Sequence, residues 1–204
     1  PLWSISASPD GSYLATATRD GRLSLWSRRG RTGELRYAQD TERCARWAEE
    51  ATAGAINSVA FNKTGDQLLA AGYRGARLYS VHPFCPERTV LSGRSVEHGL
   101  FVQDEKLALL ASENRIGLIS LAADSPEVEP IWLGYATGRR NRYTSAAFLP
   151  KERQRFVSTD DTGEVKLWSR SLAHPEATEL LAQFYGHAAA VNAVAISPDG
   201  SRMI

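Results

Sequence analysis

An all-β chain made of small, repeated, four-stranded antiparallel sheets is predicted by three observations. The first is self-similarity. Leu2 to Gly11 and Val191 to Gly200 align position for position and both end in Ser-Pro-Asp-Gly, while Ile56 to Gly65 keeps the alternation and the glycine without the proline and aspartate. The second is another recurring piece downstream of these copies, running from Leu14 to Trp26, Leu68 to Tyr79, Leu107 to Ile119 and Phe156 to Trp168. Its end points return about every 40 to 50 residues, a spacing that suits the blades of a β-propeller. The third is the lack of long amphipathic helical patterns beside many short alternating runs bounded by turn residues.

Each element follows in order from local chemistry. Leu2, Ile5 and Ala7, like Val191, Val194 and Ile196, put one face of a first strand inward. Ser-Pro-Asp-Gly then turns the chain, because proline fixes φ and glycine frees it. A second strand, Tyr13 to Thr18, runs into Arg19-Asp20-Gly21, a hairpin signal, and Arg22 to Trp26 alternates again as a third strand. A fourth follows, for instance Glu34 to Tyr37 or Glu179 to Phe184. Small residues in the second strand (Ala15, Ala17, Ala70, Ala71) suit sheets packed radially. The expected fold is therefore a partial β-propeller, an incomplete ring with blades at about 1–37, 54–94, 95–133 and 143–184 and a partial blade at 186–204. Missing blades of the same chain are its first expected partners, and this piece alone is expected to be marginal or insoluble, because each blade buries its apolar face against the next.

Composition narrows the functions. Of 204 residues, 43% are hydrophobic, enough for a core, and 24 basic against 23 acidic side chains leave a net charge of +1. No molecule-wide field draws the chain to nucleic acid or an anionic membrane, so neither is an expected partner. Two cysteines, Cys44 and Cys85, cannot build a disulfide framework or a cysteine-rich zinc module, and they fit a reducing compartment. No apolar run reaches the ~18 residues of a membrane span. The chain opens on Pro1, so upstream sequence is expected, and a soluble, cytoplasmic protein is the resulting expectation.

Ser-Pro-Asp-Gly, then Leu14-Ala-Thr-Ala-Thr-Arg-Asp-Gly21, then Leu25-Trp26, with Gly186-His187 ahead of the last unit, resembles the WD-repeat β-propeller family. The resemblance spans about four to five repeats, strongest in the first unit, in residues 143 to 168 and at the end, and weakest at 98 to 121. Ser27, Ser80 and Ser169 stand where the family has aspartate after the aromatic end point. The resemblance implies a structural hydrogen-bond network. Its members here would be Asp20, Trp26 and a hydroxyl from Thr16 or Thr18 in the first unit, Trp168 with Asp161 in the fourth, and His187 in the last.

Two irregular segments carry the candidate contacts. Asp40 to Glu50 reads as a short helix with Cys44, Trp47 and Ala51 on one face, either packed on the rim or docking a partner through Trp47. Gly134 to Tyr143 connects the third and fourth units and carries Arg139, Arg140 and Arg142; the up-and-down order puts it on the same face as Arg19, Arg74 and Arg115. Arginine forks match carboxylate and phosphate, so an acidic or phosphorylated peptide suits such a face. Arginine supplies 20 of the 24 basic residues, so its density in this loop follows the chain's own bias as well.

Enzyme chemistry finds no motif. Nucleophile elbow, paired zinc histidines and phosphate-cradling loop are all missing, and His82, His98, His174 and His187 are scattered over different units. Asp160-Asp161 reads as a turn pair rather than a cation site. No catalytic residue, metal or cofactor is expected. The resemblance implies a non-catalytic scaffold that presents propeller loops to a protein or peptide. The alternative is the sensor or autoinhibitory region of a larger kinase or nucleotide-hydrolysing switch protein.

Overall fold

The computed structural model describes residues 1–28, 35–37, 54–82, 84–102, 107–121, 131–135, 141–150, 154–171 and 178–204. All regular structure among them is β: β1 Leu2–Ala7, β2 Tyr13–Thr18, β3 Leu23–Arg28, β4 Leu35–Tyr37, β5 Ile56–Phe61, β6 Gln67–Gly72, β7 Gly75–Val81, β8 Phe84–Ser92, β9 His98–Phe101, β10 Leu107–Ser112, β11 Arg115–Ser120, β12 Ile131–Tyr135, β13 Tyr143–Phe148, β14 Arg155–Asp160, β15 Val165–Arg170 and β16 Thr178–Phe184. Every sheet takes four consecutive strands in sequence order, and the resolved pairings are antiparallel. This is the all-β architecture of four-stranded antiparallel sheets expected. Gly134 and Tyr135, read from sequence as loop, belong to β12. The helix expected over residues 40 to 50, Trp47 included, lies outside the described residues, as do Arg139 and Arg140.

The tight turns explain the copied motif. In Ser8-Pro9-Asp10-Gly11 the Ser8 hydroxyl donates to Asp10 Oδ1 at 2.6 Å and accepts from Tyr13 N at 2.8 Å, while Asp10 Oδ1 also takes Ser12 N at 3.0 Å. Ser197, Asp199, Ser201 and Arg202 repeat these bonds at 2.6, 3.1 and 2.9 Å. Where the third copy lost proline and aspartate, Asn62 Oδ1 accepts from Gly65 N at 2.9 Å and Gln67 N at 3.0 Å. Asparagine closes the same turn with its own amide.

The chain divides into two compact units, one ending at Phe101 and the other running from Val102. In the first, the core gathers Ala15, Ala17 and Leu25 of the first sheet with Ile56, Val59, Leu68, Ala70, Tyr79 and Val81 of the second. The alanines let the sheets close up. Polar ties join the first strands: Val59 N donates to Ser4 Oγ at 3.1 Å, Phe61 N to Ser6 Oγ at 3.3 Å, and Gly99 N to Ser58 Oγ at 3.3 Å. The second unit repeats the device, with Val194 N donating to Ser145 Oγ at 3.4 Å and Tyr143 N to the Glu113 carbonyl at 2.8 Å. One consequence is visible on β1. Leu2 and Ile5 are 56% and 57% exposed, whereas their counterparts Ile56 and Val59 are 8% and 5% exposed under the first sheet.

Candidate partner-binding surface

The same irregularity opens three sheets. Register shifts between Leu2 and Ser4, between Ile56 and Ser58, and between Tyr143 and Ser145, so Trp3, Asn57 and Thr144 are the bulged residues. A bulge re-aims the side chain it carries. Asn57 Nδ2 donates to the Val96 carbonyl at 3.0 Å, and Thr144 Oγ1 donates to the Val191 carbonyl, so both fasten the strand that follows. Trp3 makes no such tie among the described residues. Its ring is 47% exposed, and the Arg19 guanidinium lies over it at 5.3 Å.

Arg19 sits on the β2–β3 turn, anchored where its N–H donates to the Pro1 carbonyl at 3.2 Å. Arg74 holds the corresponding β6–β7 turn, where Tyr73 N donates to the Ala55 carbonyl at 2.9 Å and the Arg74 carbonyl accepts from Gly93 N at 3.1 Å. Gly54 passes beneath, so close that a Cβ there would lie 3.4 Å from Arg74 Cγ. Tyr73 beside it is 69% exposed. Neither Arg19 nor Arg74 has a carboxylate partner among the described residues. Asp20 is engaged otherwise: it pairs with Arg22 at 3.1 Å, and the Thr18 hydroxyl, ahead of the Arg22 charge, holds its carboxyl below the usual range.

In the second unit, Arg115 opens β11 opposite Tyr135. Arg142 is exposed, with its N–H donating to Asp161 Oδ1 at 2.9 Å and its carbonyl accepting from Asp161 N at 3.0 Å. Asp161 thus bonds the Arg142 backbone, and no bond between it and Trp168 occurs among the described residues. The carboxylate buried in that turn is its neighbour Asp160, whose Oδ1 accepts from Thr162 N and Glu164 N at 3.0 Å each. Trp168 Nε1 donates to Ser158 Oγ at 2.8 Å and Trp26 Nε1 to Thr16 Oγ1 at 2.9 Å, so Thr16 and not Thr18 is the hydroxyl of the first unit. Asp20 works its own turn, and His187 is exposed, with no hydrogen bond from its ring among the described residues. In the middle sheets Tyr79 and Ile119 replace tryptophan, and Ala70 and Leu110 replace the hydroxyl, so the indole donor and its hydroxyl acceptor are lost together.

Sequential four-stranded antiparallel sheets, two of them pinned by a tryptophan-to-hydroxyl bond, resemble the blades of WD-repeat proteins. Residues 1–27 and 178–204 match the family described as WD domain, G-beta repeat. Both ends of the chain are therefore similar to WD repeats. It is 28% identical over 180 residues to Telomerase Cajal body protein 1 of Bos taurus, an alignment covering 83% of this chain and 31% of that protein. The chain therefore spans about a third of the relative's length. WD repeats generally mediate protein–protein interactions and are typically non-catalytic. Among the described residues no helix is long and apolar enough to cross a membrane.

Proposed function

We propose that the chain is a non-catalytic scaffold whose first unit receives an acidic or phosphorylated segment of a partner protein on the turns carrying Arg19 and Arg74. The observation that carries this reading is the Arg19 guanidinium stacked on half-exposed Trp3, with no carboxylate partner among the described residues. A stacked guanidinium is already ordered, so little side-chain freedom is lost when it meets an anion. Exposed Tyr73 flanks Arg74 and adds a flat apolar contact. Fluorescence anisotropy with labelled peptides rich in glutamate or phosphoserine tests the idea. Arg19→Ala and Arg74→Ala should each weaken binding about tenfold, the worth of one charge-assisted bond, and Trp3→Ala should match Arg19→Ala. Binding that is unchanged in all three variants removes this surface. Replacing Arg139, Arg140 and Arg142 together by alanine tests the second unit separately, and Trp47→Ala and Arg115→Ala complete the set. The relative is named for telomerase and the Cajal body; imaging of the tagged protein distinguishes that location from the cytoplasmic one expected from sequence.

A further inference from the structure

The fourth sheet encloses a polar nest that takes no part in the surface above. Tyr143, which opens β13, and Asp160, which closes β14, are each 1% exposed. One carboxylate oxygen of Asp160 is fully used, accepting from Thr162 N, the Thr162 hydroxyl at 2.7 Å and Glu164 N. Its other oxygen, Oδ2, and the Tyr143 hydroxyl are both buried and meet no partner in good hydrogen-bond geometry among the described residues, although the Ser158 hydroxyl stands close enough to the phenol to act on its pKa. The groups around the phenol are the Asp160 and Glu164 carboxylates and the Ser158 hydroxyl, which receives the indole N–H of Trp168 at 2.8 Å. Lys166, 3% exposed, is paired with Glu164.

A phenol donor and a carboxylate acceptor are thus buried near one another yet do not bond directly. Native chains satisfy such atoms, and where two polar groups stand beyond direct reach an enclosed water closes the gap. We propose that one enclosed water bridges Tyr143 Oη and Asp160 Oδ2, accepting from the phenol and donating to the carboxylate. The water site has a mechanical position. The Asp160 carbonyl accepts from Val191 N at 3.1 Å, and Thr144, next to Tyr143, donates to the Val191 carbonyl. The bridge therefore holds together the two places on the fourth sheet that grip the segment beginning at Val191. Burial first, then the charges of Asp160 and Glu164, pushes the phenol's pKa upward, so Tyr143 stays protonated and able to donate.

Two measurements on the full chain test the bridge. A crystal structure fine enough to place ordered water should show a peak about 2.6–3.2 Å from both Tyr143 Oη and Asp160 Oδ2. A phenol bonded directly to the carboxylate, or a site without density, overturns the proposal. Hydrogen exchange at the Val191 amide supplies the second test. Tyr143→Phe and Asp160→Asn should each raise exchange there about tenfold, and the double variant should exceed neither single by more than about twofold, since both break one bridge. Multiplying effects in the double variant would show two independent roles and overturn it. If a variant fails to fold, the density test on the unaltered chain still decides.

Discussion

Replacing Ser158 by alanine should cost far more than replacing Thr16, although both hydroxyls accept the same kind of bond. Ser158 is 1% exposed and Trp168 8% exposed, so Ser158→Ala leaves an indole N–H with nothing to meet. An orphaned buried donor costs about 1–3 kcal/mol. Trp26 and Thr16 are only partly buried, water can replace the lost hydroxyl, and Thr16→Ala should cost about 0.5–1.5 kcal/mol. Adding Trp168→Phe to Ser158→Ala removes the donor as well, so the pair should lose clearly less than the sum of the singles. One sheet of this chain already shows that solution, with apolar Ile119 and Leu110 at the two positions. Urea midpoints at constant m-value give the comparison. The reasoning fails if Ser158→Ala costs no more than Thr16→Ala, or if the double variant equals the sum.

Two further outcomes follow from the turns. The hydroxyls of Ser12 and Ser8 hold Asp10 down to about 2 from 3.8, and those of Ser197 and Ser201 do the same for Asp199. A carboxylate whose folded value is depressed stabilises its turn above the unfolded value and loses that contribution as pH falls through the folded one. Carboxyl carbon shifts followed by NMR should therefore titrate near pH 2 for both residues, and a midpoint near 3.8 would refute the bonding. Gly75 has φ +134° and a Cβ there would lie 1.9 Å from the Leu91 carbonyl oxygen, so Gly75→Ala should destabilise by at least about 2 kcal/mol in thermal unfolding.

Legibility in the sequence followed the range of the interaction. Ser-Pro-Asp-Gly could be read because every bond of that turn lies within five residues. Arg19 and Arg74 were legible as turn residues for the same reason. Trp3 was missed, since it looks like any aromatic in a strand until the bulge between Leu2 and Ser4 re-aims it. Its signal was available only by comparison: polar Asn57 and Thr144 stand at its position in the other copies. On paper Asp161 was the residue read into the fourth unit's network, and Asp160-Asp161 together were read as a turn pair. One register decided that Asp160 turns inward while Asp161 reaches the Arg142 N–H.

The sequence by itself determined the repeating unit, the strands and their turns, because alternation, glycine and side-chain capping act between near neighbours in the chain. Tertiary structure alone decided which hydroxyl meets which tryptophan, which carboxylate is buried and which aromatic is turned out beneath an arginine. Those outcomes depend on bulges and on bonds between residues some 10 to 55 positions apart, such as Trp26 to Thr16 and Val59 to Ser4, and such partners become neighbours only after the sheets have packed.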